Sequence, residues 1–239
     1  MTGSAKGIGA GIAKYLLAKD FKVYVTYLKE KGRAEKEFGG QKNVVIRQLD
    51  VTLEENVKDF FSRMAGEIDG LDLVVNSAAI EIPGTTEELS LKNWKKIIDI
   101  KLTGAFLVTK YALPLLKKRK KSTIVNITSA LCHKGAPVYP AHAAAEAALV
   151  SYSRTCAVDL AKYGIRTHMV SPTMTRTEMW KDIGGFEDEA MWERFAKSNP
   201  LGRVSTPEDI GKAVYLLTTD EAEYWNGNEI YVNGGSHFK

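Results

Sequence analysis

Short apolar segments alternate with longer amphipathic segments along almost the whole chain. The apolar segments are nearly continuous runs of Val, Ile and Leu, which is typical of strands buried on both faces of a parallel sheet. They predict six strands, at Lys22–Tyr27, Asn43–Leu49, Leu71–Asn76, Thr123–Ser129, Ile165–Ser171 and Glu229–Val232. Strands that alternate with helices predict an α/β fold in which helices cover both faces of the sheet.

The segments between the strands carry helical periodicity. They predict helices at Gly7–Lys19, Leu53–Gly66, Leu91–Lys118, Pro140–Tyr163 and Pro207–Leu217. A chain of 239 residues with 44% hydrophobic content is long enough for one sizeable core, and its composition does not shift along its length. We therefore expect a single domain over residues 1–239.

Composition and charge narrow the classes of function. A net charge of +4 is mild, so we expect no nucleic-acid partner. Cys132 and Cys156 lack the spacing of metal ligands, and two cysteines in this length predict reduced thiols and no bound metal. No apolar run approaches the roughly 20 residues of a membrane span, and no signal peptide is evident. These features predict a cytoplasmic protein without a membrane partner.

A glycine-rich turn, Gly3-x-x-x-Gly7-x-Gly9, opens the first predicted helix. Glycines at such a turn let the backbone approach a pyrophosphate, and the helix N-terminus attracts the anion. This kind of turn ordinarily follows a strand, yet only Met1 and Thr2 precede it. The first central strand of a sheet of about six to seven strands is therefore expected to be missing. Either translation starts upstream, or a partner subunit fills the gap, or the cofactor-binding half has rearranged.

The segment Ile124-Val-Asn-Ile-Thr-Ser129, followed after a loop by Ala143-Ala-Ala-Glu-Ala-Ala-Leu149, resembles the active-site region of the short-chain dehydrogenase/reductase (SDR) family. The likeness extends over essentially the whole chain, through Asp50-Val51, Asn76-Ser-Ala-Ala79, Ser171-Pro-Thr173, Pro200-Leu-Gly-Arg203, Thr206-Pro-Glu-Asp209 and Asn226–Gly235. This resemblance implies a Rossmann-like, doubly wound parallel sheet, NAD(P) as cofactor and hydride transfer as chemistry.

The resemblance also implies where the reaction centre lies. The family uses a serine, a tyrosine, a lysine and an asparagine. Ser129 matches the serine, but the tyrosine position holds His142, the lysine position Glu146 and the asparagine position Lys101. The proton-transfer chemistry of the family is thus expected to be removed or rewritten.

Two interpretations of this substituted centre remain open. Lys101 and Glu146 are expected to form an ion pair, because a lone charge in a partly buried cleft is costly. Alternatively His142 acts as a general acid/base, with Glu146 orienting its ring and Ser129 holding the substrate oxygen. Tyr139, seven residues before Glu146, has the spacing found in enoyl-reductase relatives and is an outside candidate.

The resemblance implies a set of cofactor contacts, at Gly3, Lys6, Gly7, Ile8, Gly9, Asp50, Val51, Asn76, Ala78 and Thr177. The end of the first predicted strand, through Lys29, lacks the acidic residue that accepts the ribose hydroxyls of NAD, so Lys6 and Lys29 favour NADP. Glu146 replaces a lysine that attracts the cofactor. We therefore expect weak NAD(P) binding or none.

The segment of residues 173–204 corresponds to the family's substrate lid, and it carries an apolar cluster of Met174, Met179, Trp180, Met191, Trp192 and Phe195. His133 and His168 are interpreted as structural.

The sequence thus predicts a non-catalytic SDR-fold subunit that assembles into a heterotetramer with an active SDR paralogue. It resembles the inactive subunit of the hydroxybenzylsuccinyl-CoA dehydrogenase type. Two alternatives are an NADP-dependent carbonyl oxidoreductase that uses Ser129, His142 and Glu146, and a nucleotide-sensing regulatory protein without turnover.

Overall fold

The computed structural model of the chain describes residues 1–182 and 188–236. Within these residues all strand pairs are parallel, as predicted. The strands are β1 (Val23–Tyr27), β2 (Val44–Gln48), β3 (Leu73–Asn76), β4 (Ser122–Ile127), β5 (Ile165–Pro172) and β6 (Glu229–Val232). They lie in two groups, β1 beside β2, and β3, β4, β5 and β6 in that order.

The described helices confirm the alternation of strand and helix. They are α1 (Gly7–Leu17), α2 (Lys31–Phe38), α3 (Glu54–Ala65), α4 (Leu91–Ile98), α5 (Gly104–Leu116), α6 (Pro140–Leu160), α7 (Met179–Asp182), α8 (Glu189–Ser198) and α9 (Pro207–Leu216). None of the helices in the described ranges is long and apolar enough to span a membrane.

Three of these helices, α2, α7 and α8, were not predicted. Helix α2 is short and polar, and only Ala34 and Phe38 of it are buried, so its apolar pattern is too sparse to reveal it. The prediction of one continuous helix over Leu91–Lys118 was wrong in one respect. A π-helical turn at Asp99–Thr103 separates α4 from α5, and such turns are frequent at functional sites.

The two largest parts of the core are apolar layers, one on each face of the sheet. Val74 and Ile124 pack into the layer formed with α3 and α5. Their neighbours Val75 and Val125 point to the opposite face, into the layer formed with α1 and α9. Successive strand residues therefore enter different layers, which explains the continuous apolar runs and confirms a doubly wound α/β fold.

The sheet is interrupted between β1 and β3, where the sequence predicts the absent strand. The N-terminal residues Met1 and Thr2 bridge this break: the Met1 amine donates to the Tyr24 carbonyl oxygen at 2.9 Å, and the Thr2 amide donates to the Val75 carbonyl oxygen at 3.0 Å. The chain then turns through Gly3 into α1. The break therefore lies directly beneath the glycine-rich turn.

Candidate active site

A cavity of about 880 Å³ opens at the carboxyl ends of β3, β4 and β5. One end is lined by the glycine-rich turn and Asp50, and the other by Ser129, His142 and Glu146. In open parallel sheets this edge is where ligands bind, because the loops that follow the strands converge there. The cavity therefore joins the predicted cofactor cradle to the predicted reaction centre.

The glycine-rich turn needs its glycines for two physical reasons. Gly3 and Gly7 have φ of 60° and 57°, a left-handed conformation that other residues adopt only with strain. A Cβ on Gly3 would lie 2.8 Å from the Ala78 Cα atom, and a Cβ on Gly9 would overlap the Gly3 carbonyl oxygen. The turn is thus packed tightly against β3 and opens α1 toward the cavity, an arrangement suited to phosphate.

Lys101 and Glu146 form the ion pair that the sequence predicts. The Lys101 Nζ atom lies 2.8 Å from Glu146 Oε1, and the two side chains are only 6% and 1% exposed. Lys101 Nζ also donates to the Ile127 carbonyl oxygen at 2.7 Å. Neither carboxylate oxygen of Glu146 has a hydrogen-bond partner among the described residues, so the ion pair with Lys101 is the main compensation for this buried carboxylate.

His142 lies between two carboxylates. Its Nδ1 atom is 2.8 Å from Glu81 Oε1, and its Nε2 atom is 3.5 Å from Glu146 Oε1. Sequence reasoning missed Glu81. The only signal for it is a single acidic residue between Ile80 and Ile82, just after the β3 segment. A carboxylate oxygen therefore lies within ion-pair distance of each ring nitrogen of His142, although Nδ1 makes no hydrogen bond to the described residues.

Of the two hydroxyl side chains that the sequence singled out, Ser129 lies in the cavity wall and Tyr139 lies outside it. Ser129 lines the cavity, and its hydroxyl accepts a hydrogen bond from the Leu131 amide at 3.2 Å, at the start of a 3₁₀ turn. Tyr139 lies outside the cavity wall, just before α6 begins at Pro140. Burial, and then the Glu81 carboxylate, raise the pKa of Tyr139, which is the opposite of what proton abstraction requires.

Most of the predicted cofactor contacts line the cavity, and one does not. Gly3, Lys6, Gly7, Ile8, Gly9, Asp50, Val51, Ala78 and Thr177 belong to its wall. Asn76 is instead buried beneath it, where its Nδ2 atom donates to Asn126 Oδ1 at 2.8 Å. Asp50 is held by its own loop, since Oδ1 accepts from the amide and the hydroxyl of Thr52 at 2.9 and 2.6 Å.

The structure weakens the argument that this chain prefers NADP to NAD. Glu30, one residue beyond Lys29, also lines the cavity, and its Oε2 atom lies 3.7 Å from Lys6 Nζ. An acidic side chain is therefore present at this end of the cavity although the strand itself carries none. The Lys6–Glu30 pair reduces the positive charge that was expected to favour the extra phosphate of NADP.

The predicted lid contributes to the apolar wall of the cavity. Met174, Met179, Trp180 and Phe195 line it. Trp192 is buried against the Phe195 ring and Met191 is partly buried; neither belongs to the cavity wall. The part of the predicted lid at residues 183–187 lies outside the described residues.

The remaining histidines have partners that the sequence did not reveal. His133 Nε2 lies 2.7 Å from Glu229 Oε1, and Cys132 Sγ lies 3.9 Å from the same oxygen. This brings three potential metal ligands together, which the sequence missed because Glu229 is 96 residues from His133. Burial, and then the Glu229 carboxylate, raise the pKa of Cys132 to about 12, so its thiol is protonated at neutral pH in the metal-free protein.

His168 on β5 is fully buried, and burial together with the neighbouring Arg166 lowers its pKa to about 4. The unfolded chain binds this proton near the ordinary pKa of 6.5, so stability is lost as pH falls from 6.5 toward 4. Linkage gives a loss of about 2 kcal/mol between pH 7.5 and pH 5. We expect His168→Gln, whose side chain does not titrate, to lose less than the wild type over this interval in urea unfolding. Equal losses would contradict this assignment.

Comparison with known proteins identifies the class of protein. The family model described as enoyl-(acyl carrier protein) reductase matches residues 3–237. The chain is 29% identical to the 3-oxoacyl-[acyl-carrier-protein] reductase FabG of Aquifex aeolicus, over 98% of this chain and 95% of that protein. It is 31% identical to the L-fucose dehydrogenase of Oryctolagus cuniculus, over 99% of this chain and 83% of that protein.

Two solved structures are similar to this chain over almost its whole length. Ligand-free aldohexose dehydrogenase of Thermoplasma acidophilum superposes with a TM-score of 0.90 at 25% identity, covering 99% of this chain and 92% of that one. ElxO with NADP bound gives a TM-score of 0.89 at 28% identity, covering 100% and 97%. The chain belongs to the short-chain dehydrogenase/reductase family of oxidoreductases.

Proposed function

We propose that this chain is a non-catalytic SDR subunit that assembles with an active NAD(P)-dependent SDR paralogue in the cytoplasm. The observation that carries the proposal is the buried Lys101–Glu146 ion pair, which occupies two of the four positions at which the family performs its chemistry. Breaking such a pair leaves an uncompensated buried charge, so neither side chain is available for another task without a large energetic cost.

We infer that no described group at this centre exchanges a proton with a substrate. A carboxylate lies within ion-pair distance of each ring nitrogen of His142, so a substrate oxygen would compete with Glu81 or Glu146 for the ring. The pKa of Tyr139 is raised, and its position lies outside the cavity wall. Ser129 retains its hydroxyl, but a serine that positions an oxygen supplies no proton by itself. Hydride transfer thus lacks the general acid/base step that normally accompanies it.

The cavity still fits a dinucleotide at its phosphate end. The tightly packed glycine-rich turn leaves the Gly7 position open toward Thr177, where a Cβ would meet its nearest atom only at 3.7 Å. Gly7, Ile8 and Thr177 would lie at the phosphates, with Asp50 and Val51 at the adenine. When bound, the reduced cofactor would donate a hydride from its nicotinamide ring and the oxidised cofactor would accept one. At the other end of the cavity Lys101 and Glu146 neutralise each other, so no free cation takes the place of the family's lysine, and for this reason we propose weak binding.

The surface of α5 and α6 supports a role as a partner subunit. Phe106 on α5 is exposed and packs edge-on against Tyr152 of α6, with 6.2 Å between ring centroids. Further along α6, Val158 is almost fully exposed. Apolar side chains on neighbouring helices are typical of protein–protein contacts. We propose that this face binds the paralogue in a heterotetramer; a relation to hydroxybenzylsuccinyl-CoA dehydrogenase stays a prediction.

A nucleotide-sensing protein without turnover is the second candidate, and the retained cavity and glycine-rich turn favour it. The two candidates differ in the affinity for the nucleotide that each of them requires. A sensor requires a micromolar Kd for NADH or NADPH, whereas the non-catalytic subunit is expected to bind with a Kd of about 1 mM or weaker, roughly 4 kcal/mol. A rewired reductase based on His142 is disfavoured, because a carboxylate lies near each nitrogen of its ring and would compete with a substrate oxygen for it.

The proposed assembly is tested by recovering the tagged chain from its own cells. We expect a second SDR chain, one that carries the Tyr-x-x-x-Lys motif, to co-purify in stoichiometric amount and to bring NAD(P)-dependent dehydrogenase activity. Phe106→Glu combined with Val158→Glu should abolish this recovery, whereas Tyr224→Glu, at a fully exposed position outside α5 and α6, should preserve it. A stable homotetramer with no second SDR chain would contradict the proposal.

A further inference from the structure

Three side chains that do not belong to the cavity wall meet between the turn after β4 and the start of β6. Cys132 and His133 end the 3₁₀ turn Ala130–His133, and Glu229 is the first residue of β6. The Cys132 Sγ atom, a ring nitrogen of His133 and a carboxylate oxygen of Glu229 all lie within 4.8 Å of one another. We call these three residues the Cys-His-Glu cluster. They bring a thiol, an imidazole and a carboxylate to one point.

The carboxylate of this cluster is buried and incompletely satisfied. The Glu229 side chain is 5% exposed, and its Oε2 atom has no hydrogen-bond partner among the described residues. Arg154 Nη2 lies 3.8 Å from this oxygen, beyond hydrogen-bond distance, on a side chain that is 61% exposed. Buried carboxylates are costly unless they are paired or coordinate a metal ion. A cation held between Glu229 and the other two members of the cluster would supply this compensation.

Backbone hydrogen bonds hold both sides of the cluster in place. The Cys132 amide donates to the Ser129 carbonyl oxygen at 3.2 Å, which closes the 3₁₀ turn. Glu229 is paired with Met169 of β5, whose amide donates to the Asn228 carbonyl oxygen at 2.9 Å. Ligands carried by such ordered elements keep a more precise geometry than ligands on loops. The three side chains are therefore brought together by the fold.

The distances within the cluster are close to those around a tetrahedral ion. Bonds of about 2.0–2.3 Å place neighbouring ligand atoms roughly 3.3–3.8 Å apart. Cys132 Sγ lies 3.9 Å from Glu229 Oε1, and His133 Nε2 lies 2.7 Å from the same oxygen. An ion that replaces the hydrogen bond between His133 and Glu229 would need this second distance to open by about 0.6 Å. Side-chain rotation alone provides a change of this size.

We propose that the Cys-His-Glu cluster binds one Zn²⁺ ion through Cys132 Sγ, His133 Nε2 and a Glu229 carboxylate oxygen, with water as the fourth ligand. A mixed set of sulfur, nitrogen and oxygen suits zinc, whereas Mg²⁺ and Ca²⁺ prefer oxygen ligands alone. Binding replaces the proton of the Cys132 thiol, which passes to the solvent. The Tyr231 hydroxyl, 3.1 Å from His133 Nε2, lies beside the ligands and would orient them. The ion would link the turn that follows Ser129 to β6.

The proposal is tested by titrating the reduced, chelator-treated chain with Co²⁺, which reports on zinc sites by its absorption spectrum. We expect one Co²⁺ per chain, tetrahedral absorption in the visible, and a thiolate-to-cobalt charge-transfer band in the near ultraviolet. Zn²⁺ should then abolish these bands, because it binds such ligands more tightly than Co²⁺. Competition should give a Kd for Zn²⁺ of about 1 μM or tighter.

Substitution of the ligands shows which side chains hold the ion. Cys132→Ala should remove the charge-transfer band, and Cys132→Ala and His133→Ala should each weaken Zn²⁺ binding by at least about 100-fold. Cys156→Ala is the matched control, since it removes the other cysteine, which lies in the core on α6, and it should keep both the band and the affinity. Zn²⁺ at about 100 times its Kd should raise the melting temperature of the wild type by roughly 5 °C or more, and that of Cys132→Ala by less.

Two results would overturn the proposal. The first needs no variant: a wild-type chain that shows no charge-transfer band with Co²⁺ has no metal bound to a thiolate. The second is Zn²⁺ affinity that is the same in the wild type and in Cys132→Ala, which would show that the ion binds elsewhere on the surface.

Discussion

Replacing Lys101 with methionine is expected to lower the free energy of unfolding by about 3–5 kcal/mol, because it leaves Glu146 buried without its cation. Glu146→Met is expected to be similarly damaging, since it strands the ammonium group of Lys101. The double variant Lys101→Met/Glu146→Met should lose less than the sum of the two, and less than either single variant, because it leaves no buried charge. Urea unfolding of the four proteins at pH 7.5 measures all three differences.

An exposed ion pair provides the control for this cycle. Lys212 Nζ and Glu208 Oε1 lie 2.9 Å apart one helical turn from each other, with both side chains more than half exposed. Such pairs contribute little to stability, so Lys212→Met should leave the unfolding midpoint almost unchanged. If Lys101→Met cost no more than Lys212→Met, the buried pair would not be the feature that fills this centre.

Restoring the residues of the family at three positions is expected to create dehydrogenase activity. The triple variant Lys101→Asn/His142→Tyr/Glu146→Lys places a phenol and an ammonium group one helical turn apart on α6, opposite Ser129 in the same cavity. It also replaces the neutral Lys101–Glu146 pair with a single cation that can attract the cofactor. Positioned acid/base groups contribute about 10²–10⁴ in rate, so kcat/KM should exceed that of the wild type by at least ~100-fold.

The matched control for this restoration differs by one hydroxyl. The variant Lys101→Asn/His142→Phe/Glu146→Lys has the same charges and nearly the same shape, but its ring at position 142 has no proton to exchange. It should bind NADPH as tightly as the tyrosine form and show no turnover. Equal activity in both would mean that another group transfers the proton.

The sequence allowed the fold and the main pair to be predicted because both depend on regular spacing. Continuous apolar runs reveal strands buried on two faces, and the registers of Ser129, His142 and Glu146 follow from their separations along the chain. Lys101 could be assigned to the asparagine position of the family because the segment Leu-Thr-Gly follows it. The ion pair then followed from opposite charges at two positions that the family brings together.

Other features could not be predicted, because they depend on contacts distant in sequence. Glu81 meets His142 only when the loop after β3 folds over α6, and Glu229 meets His133 only through the order of β5 and β6. The π-helical turn at Lys101 breaks no apolar pattern, so the helix around it was predicted as continuous. Helix α2 buries too few residues to leave a periodic signal.

The most direct test of the account is a turnover assay of the purified wild-type chain with NAD⁺ and NADP⁺. The alcohols should come from the chemistry that the relatives' names indicate, L-fucose, cyclopentanol and a 3β-hydroxysteroid. We expect no formation of NADH or NADPH above the protein-free rate, while the triple variant reduces the cofactor with at least one alcohol. Wild-type turnover that disappears in His142→Ala would contradict the account and would establish His142 as the acid/base group.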